Sequence, residues 1–243
     1  MRRFEAAGAN RARVVYKAAM PVGAVLFDLD GTLVDSEREY AEAMARALRA
    51  GLGLAIDQAD RDYLVGRAWG DIHAHLRERY GERMPWSRQQ LIDATFAERQ
   101  RLGAERDVTV LPGARDAIAR FDGIPRAIVT GSSRQEAAFS LRALGETAAF
   151  RAVVTCEDYA RSKPAPDGYL AAAAAVGVDP RDCLVVEDSA AGIAAGLAAG
   201  MLVVAVRAGN FVGADQSAAH RIVDTLDDLT IDLVRALRAE VPH

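Results

Sequence analysis

From Leu111 onward, short β-compatible apolar runs alternate with segments of helical period, and no other feature restricts the fold so tightly. After Leu111-Pro112-Gly113 the pattern predicts a helix over 114–121, a strand over 127–130, a helix over 134–144 and a strand over 152–155. It continues with a helix over 167–176, a strand over 183–186, a helix over 190–199, a strand over 202–206 and a short strand near 222–223. Strands joined through helices run mostly parallel, and a parallel sheet needs cover on both faces. The pattern therefore implies an α/β fold with a mainly parallel sheet.

One segment breaks this rhythm. The apolar run 22–27 reads as a first strand and ends in the turn signal Asp-Leu-Asp-Gly. A helix is expected over 36–50, with Ser36 able to cap it and Gly51 able to stop it. Residues 51–106 then carry three helical patterns, with breaks at Gly66, Gly70, Gly81 and Pro85, and little strand signal. This block is expected to be an inserted α-helical cap at one edge of the sheet. The division expected is an extension at 1–19, a core from 20–34 and 109–243, and a cap at 35–108, which 243 residues can accommodate. The extension is basic at its start and lacks a clean apolar region followed by a cleavage site, so a targeting peptide is disfavoured.

Composition excludes some partners. Lys plus Arg is 30 and Asp plus Glu is 34, so the formal charge is −4, with no electrostatic footprint for nucleic acid or an anionic membrane. The most apolar stretch, 14–29, is interrupted by Lys17, Pro21 and Asp28, so it does not read as a membrane span. Cys156 and Cys183 are too few for a disulfide scaffold and lack zinc spacing. They are expected as small core residues in a cytoplasmic protein.

In open α/β sheets, ligands gather beyond the carboxyl ends of the strands. Asp28 and Asp30 follow the first strand, and Thr130, Gly131, Ser132 and Ser133 follow the second. Lys163 comes shortly after the third, and Glu187 and Asp188 follow the fourth. Clustered carboxylates repel unless a cation sits among them or some stay protonated. With no His or Cys ligand set beside them, oxygen ligation favours a hard ion, Mg²⁺ before Zn²⁺. The hydroxyls, amides and Lys163 suit an anion cradle, and the whole suits phosphoryl transfer. Two roles stand for Ser132 and Ser133, as ligands or as helix caps. Glu187-Asp188-Ser189 can likewise start a helix.

The segment VLFDLDGTLVDS resembles the first motif of the haloacid dehalogenase-like superfamily in its phosphatase form. IVTGSS, SKPAPDGYL and VVEDSAAGIAAGLAAGM resemble its second, third and fourth motifs, in order, between about residues 22 and 206. The insert resembles the helical cap of the phosphoglycolate phosphatase and β-phosphoglucomutase-like branch. The resemblance implies a Rossmann-like doubly wound core. It implies that Asp28 is the nucleophile, forming an aspartyl-phosphate, and that Asp30 is general acid and then base. Thr130 with the adjacent amides of Gly131 and Ser132 would hold phosphoryl oxygens, and Lys163 would pair with nucleophile and phosphate. Mg²⁺ would be held by Asp28, Asp188 and the main-chain carbonyl of Asp30, with Glu187 ligating directly or through water.

These roles imply a Mg²⁺-dependent phosphatase of a small phosphorylated metabolite, of phosphoglycolate or sugar phosphate type, acting as a monomer or dimer. A β-phosphoglucomutase-like phosphomutase would use the same core residues. A carbon–halogen hydrolase is disfavoured because it does not need Asp30, and a non-catalytic role because no motif residue is missing. In the cap, Arg67 could clamp a second anionic group of the substrate or simply cover a helix. His73 and His75 do not share a helix face and are expected at the surface, while Trp69 and Trp86 are expected to pack the cap. Opening and closing are expected about hinges near 33–36 and 107–113.

Overall fold

The computed structural model describes residues 20–65, 67, 69–105, 108–145, 147–211 and 213–241. The extension at 1–19, the break at Gly66 and the hinge position Asp107 lie outside these residues. Six parallel strands form the main sheet: β1 (Ala24–Phe27), β4 (Arg126–Val129), β5 (Ala152–Val154), β6 (Cys183–Glu187), β7 (Leu202–Val206) and β8 (Arg221–Val223). Their order is β5-β4-β1-β6-β7-β8. Numbered by the core strands alone this is 3-2-1-4-5-6, the doubly wound order, with its switch point between β1 and β6.

Alternation along the strands divides the core in two. Val25, Phe27, Ile128, Leu184, Val186, Val204 and Val206 face one side. There they pack with Ile118 of α5 (Ala114–Arg120), Leu141 of α6 (Arg134–Leu144) and Leu237 of α9 (Ile231–Glu240). Ala24, Leu26, Ala127, Val129, Val185 and Val203 face the other side. Their partners include Tyr169 of α7 (Asp167–Val176) and Ile193 of α8 (Ala190–Ala198). The strands are apolar on both faces because both faces are covered.

The expected insert is helical: α1 (Ser36–Leu52), α2 (Gln58–Leu64), α3 (Trp69–Tyr80) and α4 (Arg88–Glu105). It has a hydrophobic cluster of its own, with Met44, Leu48, Leu76, Met84 and Leu91 buried and Trp69 and Trp86 packed against them. Its two junctions with the core pair antiparallel as β2 (Val34–Asp35) and β3 (Thr109–Val110), a ladder too short for sequence periodicity to register. Among the described residues no helix is long and apolar enough to cross a membrane.

Several local expectations are corrected. Asp35, not Ser36, caps α1, its carboxylate accepting from the Arg38 amide at 3.1 Å. Gly51 lies within α1, where a Cβ would sit 2.4 Å from the Trp86 ring. The helix stops instead at Gly53, whose φ of 63° is left-handed. Gly70 is inside α3. Cys156 is exposed, and only Cys183 is a core residue. His73 and His75 are half-buried fasteners of the insert, bonded to the Trp86 carbonyl and to Asp60, each at 2.9 Å.

Candidate active site

Strand β1 ends by delivering Asp28 and Asp30 beyond the sheet, while Leu29 between them is fully buried in the core. The Asp28 amide still bonds to Val186 at 2.9 Å, so β6 fixes its position. The chain then turns at Gly31, whose φ is 89°. Side chains rarely adopt that conformation, and a Cβ there would also lie 2.5 Å from Asp188 Oδ2. The turn thus rests directly on the carboxylate delivered by the neighbouring strand. The Thr32 hydroxyl donates to Asp188 Oδ1 at 3.0 Å.

Lys163 sits among these acids. Its ammonium donates to Asp28 Oδ1 at 2.5 Å, Glu187 Oε1 at 2.6 Å and the Val129 carbonyl at 3.2 Å. Glu187 is fully buried and its oxygens are saturated. Oε1 also accepts from the Tyr169 hydroxyl at 3.0 Å, and Oε2 accepts from the Asp188 amide and from the amide and hydroxyl of Ser189, each at 3.0 Å. Burial pushes the Glu187 carboxyl up, but Lys163 and the Ser189 donors outweigh it and hold the group below the usual range. Burial also pushes Lys163 down, and the Asp28 and Glu187 charges overcome this, keeping it well above the ordinary lysine range.

Asp28 and Asp188 behave oppositely. Burial pushes the Asp28 carboxyl up to about 7 against the pull of Lys163, with Glu187 and Asp30 adding to the rise. Asp188 is driven well above the usual range by burial and then by the Asp28 and Glu187 charges. Ligand oxygens of Asp28, Glu187 and Asp188 lie within 4.8 Å of one another, and Asp28 Oδ2 is buried with no donor among the described residues. With the Glu187 oxygens already occupied, Asp28 and Asp188 are the carboxylates of this set that fit a hard divalent cation.

Asp30 points elsewhere. Its Oδ2 accepts from Thr130 Oγ1 at 2.8 Å and Ser132 Oγ at 2.7 Å, and its Oδ1 is buried with no donor among the described residues. The Ser132 amide donates to Thr130 Oγ1 at 3.0 Å, so that hydroxyl both accepts and donates. The two serines have separate duties: Ser132 orients Asp30, and Ser133 caps α6 in a reciprocal pair with Glu136. Ser189 likewise caps α8, so the acidic pair 187–188 does precede a helix start.

A cleft of about 520 Å³ opens over Asp30 between core and insert, lined also by Glu37, Tyr40, Arg67, Trp69, Gly131 and Ser132. Arg67 is exposed, its guanidinium lying 4.3 Å from the Tyr63 ring centre. A polar bridge crosses from insert to core beside the cleft: the Tyr40 hydroxyl donates to Glu136, and Arg99 Nη1 donates to that hydroxyl at 3.0 Å. Sequence reasoning passes over several supporting residues. Tyr169 lies inside SKPAPDGYL, and the sequence reading gives it no role. Tyr159 donates to the Thr130 carbonyl at 2.9 Å, and buried Gln216 donates to the Asp188 carbonyl at 2.6 Å. Gln216 lies in the loop between β7 and β8, where only the folded chain reveals it.

The family model of haloacid dehalogenase-like hydrolases matches residues 22–200. Hexitol phosphatase A of Escherichia coli (strain K12) is 37% identical over 196 residues, covering 75% of this chain and 82% of that protein. β-Phosphoglucomutase of Bacillus subtilis (strain 168) is 30% identical over 216 residues, covering 87% and 93%. A crystal structure of a HAD family hydrolase from Deinococcus radiodurans R1 with bound phosphate and sodium superposes with a TM-score of 0.67 at 30% identity, covering 90% and 98%. These matches embrace both the sheet and the helical insert. The chain therefore belongs to the haloacid dehalogenase-like hydrolases, is an enzyme of that hydrolase class, and falls in the phosphoglycolate phosphatase and β-phosphoglucomutase-like branch.

Proposed function

We propose that the chain is a Mg²⁺-dependent phosphatase that hydrolyses a small sugar or polyol phosphate through an aspartyl-phosphate on Asp28. The observation that carries this reading is the pair Asp28 and Asp30, each with one orphaned buried oxygen, at the switch point of the sheet. Asp28 attacks phosphorus while Lys163 fixes its Oδ1. Asp30, held through Oδ2 by Thr130 and Ser132, uses Oδ1 to protonate the leaving alcohol and then to deprotonate water. Thr130, Gly131 and Ser132 cradle the phosphoryl oxygens. Asp28, Asp188 and the main-chain carbonyl of Asp30 would hold the Mg²⁺, which would supply charge neutralisation at the phosphoryl group. Glu187, with both oxygens occupied, anchors Lys163.

In this reading residues 35–108 act as a cap that moves over the core and excludes bulk water. The free thiols Cys156 and Cys183 suit a reducing cytoplasm. The resemblance to hexitol phosphatase A supports a polyol phosphate. The relation to β-phosphoglucomutase supports a second reading, a phosphomutase in which a sugar hydroxyl replaces water.

The test is phosphate release from phosphorylated metabolites, with Mg²⁺ and with EDTA, by wild type and Asp28→Asn. Release is expected to require both the ion and Asp28. Release by Asp28→Asn at the wild-type rate would refute the mechanism, and isomerised sugar phosphate without net release would favour the mutase.

A further inference from the structure

Three carboxylates line the cleft over Asp30. Asp30, Glu37 and Glu136 line it with the Arg67 guanidinium, and beside it Arg99 pairs with Glu136 at 3.5 Å. Asp30 is committed to proton transfer. Glu136 is satisfied, with Tyr40 donating to Oε1 and Ser133 to Oε2. Glu37 differs from both. It stands in the first turn of α1, lines the cleft beside Ser36 and Tyr40, and its Oε2 is buried with no donor among the described residues. The Arg67 guanidinium lies over the Tyr63 ring in an exposed position, and among the described residues no ion pair joins it to Glu37.

A carboxylate with an unmet oxygen in a ligand cleft requires a donor from the ligand. A second carboxylate or phosphate on the substrate would bring like charge against it. We propose that Glu37 determines leaving-group specificity, accepting a hydrogen bond from a hydroxyl of an uncharged, polyhydroxylated alcohol. The substrate class is then a sugar or polyol monophosphate, and not a phosphocarboxylate or a bisphosphate. This rests on the phosphatase reading above.

A hydroxyl bonded to a charged acceptor is worth a factor of roughly 10 to 100 in selectivity. The experiment compares kcat/KM for sorbitol 6-phosphate, 2-phosphoglycolate and p-nitrophenyl phosphate, using wild type, Glu37→Ala and Glu37→Gln. Wild type is expected to favour sorbitol 6-phosphate over 2-phosphoglycolate by at least about tenfold. Glu37→Ala is expected to lose roughly 10- to 100-fold more on sorbitol 6-phosphate than on p-nitrophenyl phosphate, whose leaving group has no alcohol hydroxyls. Glu37→Gln is expected to narrow the gap between sorbitol 6-phosphate and 2-phosphoglycolate. Ratios within one variant are insensitive to how much of it folds, and Glu37→Gln, nearly isosteric, decides the matter if Glu37→Ala does not fold. Equal losses on every substrate, or a wild-type preference for 2-phosphoglycolate, would overturn the assignment. Mg²⁺-dependent turnover of p-nitrophenyl phosphate with unchanged ratios sinks the Glu37 role alone. No turnover of any compound sinks the phosphatase reading and this inference with it.

Discussion

Replacing Glu187 by Gln tests whether the buried carboxylate is held by charge or merely by shape. The substitution is nearly isosteric, so packing is preserved. Glu187 accepts two donors at Oε1, from Lys163 and Tyr169, and three at Oε2, from the Asp188 amide and from the Ser189 amide and hydroxyl. An amide NH₂ placed on either side therefore confronts at least two donors. Two hydrogen bonds to a charged acceptor are worth about 1.5–3 kcal/mol each. Removing one partner of a buried ion pair costs about 3–5 kcal/mol, and among the described residues Lys163 would keep Asp28 as its one ion-pair partner. Both routes agree on about 3–5 kcal/mol of lost stability. For a chain of this length each kcal/mol shifts Tm by about 2–4 °C, so a fall of roughly 6–20 °C is expected. Thermal melts followed by circular dichroism at pH 7 without added metal measure it. A shift under about 3 °C would refute the claim that the network around Glu187 depends on its charge.

Two further outcomes follow from the same geometry. Gly31→Ala places a methyl group 2.5 Å from Asp188 Oδ2 at a φ of 89°, and phosphate release is expected to fall more than about tenfold; release near the wild-type rate would show that the turn has slack. In the insert, burial raises the Asp60 carboxyl, but the Tyr80 hydroxyl, His75 and Arg79 outweigh it and hold the group below its ordinary range. A depressed folded pKa stabilises above the unfolded value, about 3.9, and that stability is lost as pH falls through the folded value. The Tm gap between wild type and Asp60→Asn should therefore be wide at pH 7 and narrow below about pH 4; an equal gap at pH 3 would contradict it.

The sequence alone was enough for the parallel sheet, because alternation of strand and helix is a local property repeated along the chain. It also placed Asp28, Thr130 and Asp188 at strand ends, and Lys163 shortly after one, where such sheets collect ligands. The helices at 134–144 and 167–176 fall where their periodicity puts them. Only the tertiary structure decided what each side chain is for. Ser132 and Ser133 are neighbours of one chemical kind, yet one meets Asp30 across 102 positions and the other caps its own helix. Cys156 and Cys183 look alike in sequence, and only the second is covered. Gln216, Tyr169 and Glu37 acquire meaning through residues distant in sequence or through a cleft between core and insert. Periodicity reports which face of an element is apolar; hydrogen bonds between remote segments depend on how those elements are stacked, and no local pattern encodes that.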